Sequence, residues 1–429
     1  MSRVGESVSE SNKGQSAGLR PSAPGERIAS LDFIRGIAVM GILAANIVAF
    51  GQPFSAYMYP DAFLTEHGPA SEWLWVVQFV LIDGKMRGLF TLLFGAGMML
   101  FMERAWASGA SRWLQARRLL WLMMFGLIHF FLIWFGDILF FYGAIGMVAL
   151  LMVKWQARTQ LKVGVLGYVA GAIIYAAMMV PLPFVADTPL GKQSQFSEMR
   201  TELEAGKQKQ LAEDIIETQF RQSDDYAGYV MHRFNEHRFE PFTNLVFFAF
   251  ESLPLMLIGM ALYRMGLFGG GFDPGQQRRW GWAGLIVGGL LHLAIALWVK
   301  AGGFTYYGTL AAFVGLSPLP RLMMVLGLAA LLSLYAPRAT GWLGRRVSAA
   351  GRAAFSNYLG TSIVMLFVFH GWALGLFGAL DRLQLYLVVA LTCAGMLAWS
   401  KPWLERFRYG PLEWLWRCLT YWRLFPLRR

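Results

Sequence analysis

Apolar runs of about twenty residues recur along this chain, from "IRGIAVMGILAANIVAFG" near its start to "LYLVVALTCAGMLAW" near its end. Such a run crosses the roughly 30 Å hydrocarbon of a bilayer only as a helix, because each unpaired N–H or C=O in lipid costs several kcal/mol. That requirement fixes the fold class as an all-α polytopic membrane helix bundle. The content agrees: 56% of the 429 residues are hydrophobic and only 15% charged, against roughly 25% charge in an ordinary soluble domain.

About ten crossings are expected, at 30–50, 84–103, 119–135, 138–153, 162–181, 241–263, 280–299, 320–336, 353–375 and 383–400. Two further apolar segments, 71–83 and 304–318, are too short to span and read as interfacial or re-entrant. Lipid tolerates re-entrant backbone only where protein buries it or water reaches it. Orientation follows from Lys and Arg, which favour cytoplasmic loops. Arg104, Arg112, Arg117, Arg118, Lys154, Arg158, Lys162, Arg264, Arg278, Arg279, Arg338, Arg345, Arg346 and Arg352 all fall on one side, with Lys300 and Arg382 on the other. Both termini are therefore expected in the cytoplasm.

The expected organisation runs in five parts. Residues 1–28, rich in Ser, Gly and Pro, form a disordered cytoplasmic tail; 29–184 form an N-terminal transmembrane bundle that carries the site. Residues 185–240 form an extracytoplasmic helical cap, 241–400 a C-terminal transmembrane bundle, and 401–429 a basic cytoplasmic tail. The net charge of +12 is a membrane-topology signal rather than a nucleic-acid footprint. The two cysteines, Cys393 and Cys418, give neither a disulfide framework nor a metal cluster.

Ionisable groups at membrane depth are costly and mark functional sites by default. Asp32 and Arg35 sit three residues apart, so they are helix neighbours that can neutralise each other. Asn46 follows Arg35 by eleven residues, which returns it to nearly the same helix face about 16 Å further along. Asp83, Lys85 and Arg87 lie at an outer boundary that otherwise avoids positive charge. Snorkelling of Lys85 and Arg87 to the interface is one reading; a cavity for an anionic or polar substrate is the other.

In "GLIHFFLIWFGDILFFYG", His129 and Asp137 interrupt an almost continuous apolar stretch. An unbroken helix would hold them about 12 Å apart and roughly 80° out of register, so a shared pocket is expected rather than a direct hydrogen bond. Interhelical bonding is the plain alternative for His129, and capping of the following helix for Asp137. His292, His370 and Glu251 read as hydrogen-bonding groups within the bundle. Arg117 and Arg118, like Arg345 and Arg346, offer guanidinium pairs for the phosphates of a cytoplasmic cofactor, or act as topology determinants. "GGGFDPG" over 269–275 follows no strand and is a weak phosphate cradle.

Taken together, "SLDFIRGIAVMGILAANIVAFGQP", "LFTLLFGAGM", "RRLLWLMMFGLIHFFLIWFGDILFFYGAIG", "GRAAFSNYLGTSIV" and "RFRYGPLEWLWRCLTY" resemble the YeiB-like family of bacterial inner-membrane proteins. The opening block is also similar to that of heparan-alpha-glucosaminide N-acetyltransferase, with an Asp-x-x-Arg-Gly start and an Asn eleven residues after the Arg. Bacterial O-acyltransferases of surface sugars start similarly but carry His at that place, where this chain has Asn46. The resemblance implies transfer of an acyl group from cytoplasmic acyl-CoA, acetyl-CoA for instance, to an extracytoplasmic or lipid-linked acceptor. It implies His129 as general base with Asp137 beside it.

The residues can support that chemistry. A neutral imidazole accepts a proton from a hydroxyl or amine at neutral pH. Arg35 and Asn46 would hold the acyl-CoA or a developing oxyanion, with Arg117 and Arg118 on its phosphates. Lys85, Arg87 and Asp32 would meet the acceptor, and no metal is called for. The partners expected are membrane lipids and a small-molecule acceptor, with no nucleic acid and a homodimer left open. A transporter or flippase using the same polar groups as a path is the alternative, and a non-catalytic membrane partner with a degenerate site is the third reading.

Overall fold

A computed structural model describes residues 29–65 and 68–429 of the chain. The tail expected over 1–28 lies outside the described residues. The named elements are helices: α1 (Ala29–Gly51), α2 (Pro69–Leu81), α3 (Lys85–Ala107), α4 (Arg112–Leu132), α5 (Leu139–Leu151), α6 (Ala157–Met179), α7 (Pro181–Asp187), α8 (Ser197–Gln222) and α9 (Tyr226–Glu236). There follow α10 (Glu240–Arg264), α11 (Pro274–Ala301), α12 (Tyr306–Leu310), α13 (Pro318–Tyr335), α14 (Trp342–Arg352), α15 (Ala354–Phe369), α16 (Arg382–Arg406) and α17 (Pro411–Tyr421). The β contact among the described residues is an isolated bridge between Phe407 and Arg428.

Seven helices among the described residues are long and apolar enough to cross a membrane, and α14 with α15, bent by 86°, make an eighth if the pair is one span. The apolar runs expected at 119–135 and 138–153 account for the difference from ten. They become α4, which begins among Arg112, Arg117 and Arg118, and α5, whose 13 residues rise about 20 Å, less than the hydrocarbon thickness. The short segments 71–83 and 304–318 become α2 and the run Tyr306–Leu316, part of it π-helical. Trp75 and Phe79 of α2 are buried against Phe304 and Phe313.

The helix α1 is the axis of the bundle, packed by α3, α14, α15 and α16. Its first turn is anchored where Ser30 Oγ donates to the Phe268 carbonyl at 2.7 Å. A Cβ on Gly351 of α14 would run into the Asp32 carbonyl oxygen, so α14 lies directly on the backbone of α1. Small residues permit a similar approach between α3 and α10, where Gly95 faces the Met256 backbone and Gly259 the Leu92 backbone.

The two ends of the bundle differ. On the tail face, where α1 begins, α17 packs against α4 and α15. Where a basic tail is expected over 401–429, Gly410 and Pro411 start a helix. On the cap face, where α1 ends, the polar 26-residue α8 and the shorter α9 lie across the bundle. They are fastened by Asp214, which accepts the Ser55 N–H at 3.2 Å, by Arg221 donating to the Ala49 carbonyl at 3.2 Å, and by the Tyr226 hydroxyl donating to the Leu132 carbonyl.

Candidate functional site

The expectation that His129 and Asp137 stay apart is overturned. The helix α4 stops at Leu132, and the chain turns back so that the Ile133 and Trp134 N–H groups both reach the His129 carbonyl, at 2.9 and 2.8 Å. Asp137 therefore returns alongside the helix it would otherwise have continued. Its Oδ1 meets His129 Nδ1 at 2.9 Å, and its Oδ2 accepts the Phe140 N–H at 2.7 Å in the first turn of α5. Asp137 thus makes the bond to the start of the following helix that is its plain reading in sequence and, in addition, the histidine contact that the sequence does not lead one to expect. Gly126, one turn before His129, leaves the room: a Cβ there would meet Phe140 Cα at 2.7 Å and Asp137 Oδ2 at 2.8 Å.

The imidazole is fully buried, and its Nε2 makes no hydrogen bond to the described residues. The tautomer is assigned from the Asp137 contact: a carboxylate on Nδ1 holds the hydrogen there and leaves the Nε2 lone pair to accept a proton. This is the orientation a general base requires. The ring is sandwiched between Tyr358, with centroids 5.4 Å apart, and Trp134, at 6.2 Å.

Those two aromatic neighbours lead to opposite faces. Tyr358 is part of the deep wall of a cavity of about 360 Å³ that belongs to the tail-face half of the bundle. Its lining carries five arginines, Arg35, Arg104, Arg118, Arg352 and Arg417, against one carboxylate, Glu413, with Leu139, Tyr142 and Phe355 also contributing. Arg118 is clamped flat between the rings of Trp416, at 4.1 Å, and Phe101, at 4.7 Å. Glu413 caps the start of α15, accepting the Phe355 and Ser356 N–H groups at 2.8 and 3.1 Å and the Ser356 hydroxyl. Burial pushes its carboxyl above the ordinary range despite those hydrogen bonds. On the other side, Trp134 lines a cavity of only about 10 Å³ beneath the cap, shared with Phe50, Arg221, Tyr229, Ser362 and His370.

The remaining candidates separate into groups. Arg35 pairs with Asp32 at 3.4 Å and lines the tail-face cavity, as does Arg118. Arg117 and Asn46 are absent from that lining; Asn46 is half-buried on α1. Neither Lys85 nor Arg87 snorkels, and neither lines the tail-face or the cap-face cavity; His129 lies behind both, touching them through Tyr358 and Trp134. Lys85 is fully buried and donates to the Phe79 carbonyl. Arg87 binds Glu251 Oε2 at 2.7 Å, and Arg321 binds both oxygens of the same carboxylate at 3.0 and 3.1 Å. Asp83 completes this region through the Gln78 amide at 3.1 Å and the Tyr57 hydroxyl at 3.3 Å, with Arg382 donating to Gln78 at 2.8 Å. A buried carboxylate shared by two guanidiniums locks α3, α10 and α13 together. His292 Nδ1 meets the Gly288 carbonyl at 2.9 Å on its own helix. Among the described residues, no group of three or more His, Cys, Asp or Glu is placed to hold a metal ion.

Residues 262–423 match the model of the family described as "Protein of unknown function (DUF418)". The chain is 30% identical over 408 residues to the "Uncharacterized protein YeiB" of Escherichia coli (strain K12), covering 92% of this chain and 96% of that one. The chain belongs to the YeiB-like family. A second member of similar extent, the "Uncharacterized protein YxaH" of Bacillus subtilis (strain 168), is 30% identical over 441 residues, covering 96% of this chain and 98% of the relative. No solved structure matches the chain. In this YeiB-like protein the matched segment 262–423 contributes Arg352, Tyr358, Glu413 and Arg417 to the cavity, while His129 and Asp137 come from outside it.

Proposed function

We propose that this protein is a transmembrane acyltransferase of the bacterial inner membrane, with its tail face in the cytoplasm and acyl-CoA as donor. One observation carries the reading: the deep wall of an arginine-lined cavity, Tyr358, packs on a buried histidine whose Nε2 is free to accept a proton and whose Nδ1 is held by a carboxylate. Arg35, Arg104, Arg118, Arg352 and Arg417 supply the charge that a diphosphate and a 3′-phosphate need. The pantetheine arm would point its thioester toward Tyr358.

In the reaction, His129 Nε2 takes the proton from an acceptor hydroxyl or amine as that atom attacks the thioester carbonyl. The carbon–sulfur bond breaks, the coenzyme A thiolate leaves toward the cytoplasm, and it recovers the proton from the imidazolium. Asp137 steadies the imidazolium in between. Titration of purified protein with acetyl-CoA by calorimetry should show saturable binding that weakens at least about tenfold in Arg118→Gln and in Arg35→Ala. Slow coenzyme A release should vanish in His129→Ala. Failure to bind acetyl-CoA or any longer acyl-CoA would defeat the proposal.

The cavities flanking His129 on opposite faces favour one second reading, a transporter or flippase whose path passes the histidine. Gradient-dependent flux of a polar solute in proteoliposomes, without thioester consumption, would select it.

A further inference from the structure

Beneath the cap, buried guanidinium donors stand unmatched in a way the acyl-transfer reading does not use. Arg221 and Arg233 are 3% and 2% exposed, yet share one carboxylate, Glu217, at 3.8 and 3.1 Å. Both guanidiniums stack on Phe135, at 5.1 and 4.7 Å. Arg221 Nε, Arg233 Nε and Arg233 Nη2 have no hydrogen-bond partner among the described residues. Buried donors on a charged group are expensive to leave unmade, and Glu217 is the carboxylate both guanidiniums pair with, Asp214 acting on Arg221 only from further away. Arg221 lines the small cap-face cavity together with His370, whose Nδ1 is likewise buried and unpartnered, and with Trp134, which packs on His129.

We infer that this arginine pair is an oxyanion site, and that the acceptor enters from the cap face carrying a phosphate ester or carboxylate beside its nucleophile. The acceptor assignment rests on the acyl-transfer reading; the anion site itself does not. Bound there, the oxyanion takes the free N–H groups of Arg221 and Arg233, and Trp134 stands between it and His129. The cavity now has room for about one water, so entry requires α9 to lift from Leu132 and Phe130, which it holds through Tyr226 and Arg233. Glu217 is the competitor: it occupies the arginines while the cap is closed.

The test is calorimetry on the full-length protein carrying Arg118→Gln, which weakens the tail-face cavity by removing one of its five arginines, with glycerol 3-phosphate as the soluble probe. A parallel arm uses phosphatidylcholine nanodiscs with and without phosphatidylglycerol, to separate a free phosphate ester from a lipid headgroup. Saturable binding in either arm, lost by at least about tenfold in Arg233→Gln, is expected. Glu217→Gln should tighten binding by about tenfold, because it removes the competing carboxylate; this variant guards against simple misfolding of Arg233→Gln. A merely structural ion pair would lose thermal stability on Glu217→Gln and gain no affinity. Absence of binding in both arms, binding indifferent to Arg233→Gln, or unchanged affinity in Glu217→Gln would each overturn the inference. None of these readings involves acyl-CoA, so failure of acyl transfer and failure of the anion site remain distinct results.

Discussion

Replacing Asp137 by Asn separates the two jobs of its carboxylate. The amide keeps the shape, and its carbonyl oxygen can still accept the Phe140 N–H that now lies at 2.7 Å. That bond passes from charge-assisted, worth about 1.5–3 kcal/mol, to neutral, worth about 0.5–1.5 kcal/mol, a loss near 1 kcal/mol. Asp137→Ala deletes both this bond and the one at His129 Nδ1, a loss of about 3–6 kcal/mol. Stability should therefore fall much less in Asn than in Ala. Catalysis should not be spared. An amide –NH2 facing His129 donates to Nδ1, which moves the hydrogen to Nε2 and removes the lone pair that accepts the acceptor's proton. A general base contributes about 10²–10⁴ in rate, and coenzyme A release should drop by that much. Release is best followed by chromatography, which reads coenzyme A separately from the protein's own thiols, Cys393 and Cys418. If Asn melts as early as Ala while folded protein keeps its rate, the carboxylate is a helix cap and the base argument fails.

Three further outcomes follow from the same geometry. Gly126→Ala should cost about 1–3 kcal/mol by overpacking and should lower coenzyme A release by pushing Asp137 away from His129; unchanged melting and release would show that α5 has slack here. Glu251→Gln should destabilise by about 3–5 kcal/mol, because Arg87 and Arg321 lose their shared counter-charge, read as earlier thermal unfolding in detergent; an unchanged midpoint would mean the pair is neutralised otherwise. In the cap, the hydrogen bond to Glu240 at 2.6 Å raises the titration of His237 above its ordinary value. A raised histidine contributes stability that is complete below about pH 6.5 and lost as pH rises through the folded-state value. Melting of the wild type should therefore fall more than that of Glu240→Gln as pH rises above neutral, and parallel curves would remove His237 from the balance.

How much of this was written in the sequence depends on how local the cause is. The helices follow from apolar length and from caps such as Ser111, Asp273 and Asp381, whose side chains accept N–H groups of the first turn. His129 and Asp137 stood out as polar groups in oil, but their contact did not, because it depends on where α4 stops. That stop has no Gly or Pro immediately after Leu132; the turn is fixed by Trp134 and Asp137 finding tertiary partners. Arg118 follows from reasoning about phosphate and Arg35 from charge at membrane depth, whereas Glu413 and Arg417 do not stand out, because 401–429 reads as a charge-rich tail. The signal was present in "YGPLEWLWRCLTY", where Gly and Pro open a helix that carries Glu413, two Trp and Arg417. Lys85 and Arg87 misled for a physical reason: a boundary charge can be drawn inward when Glu251 or a carbonyl waits there.

The thinness of the partition at His129 has an electrical meaning. Between the tail-face cavity of about 360 Å³ and the cap-face cavity of about 10 Å³ stand Trp134, one imidazole and Tyr358. On the proposed chemistry, a proton passes from the acceptor to the thiolate while the acyl group passes the other way, so neither face gains or loses charge and no net charge crosses per turnover. A proton path through the same histidine would instead carry one charge, to which an interior-negative potential contributes about 2.3 kcal/mol per 100 mV. Coenzyme A release should therefore run at the same rate in an energised and in a depolarised membrane.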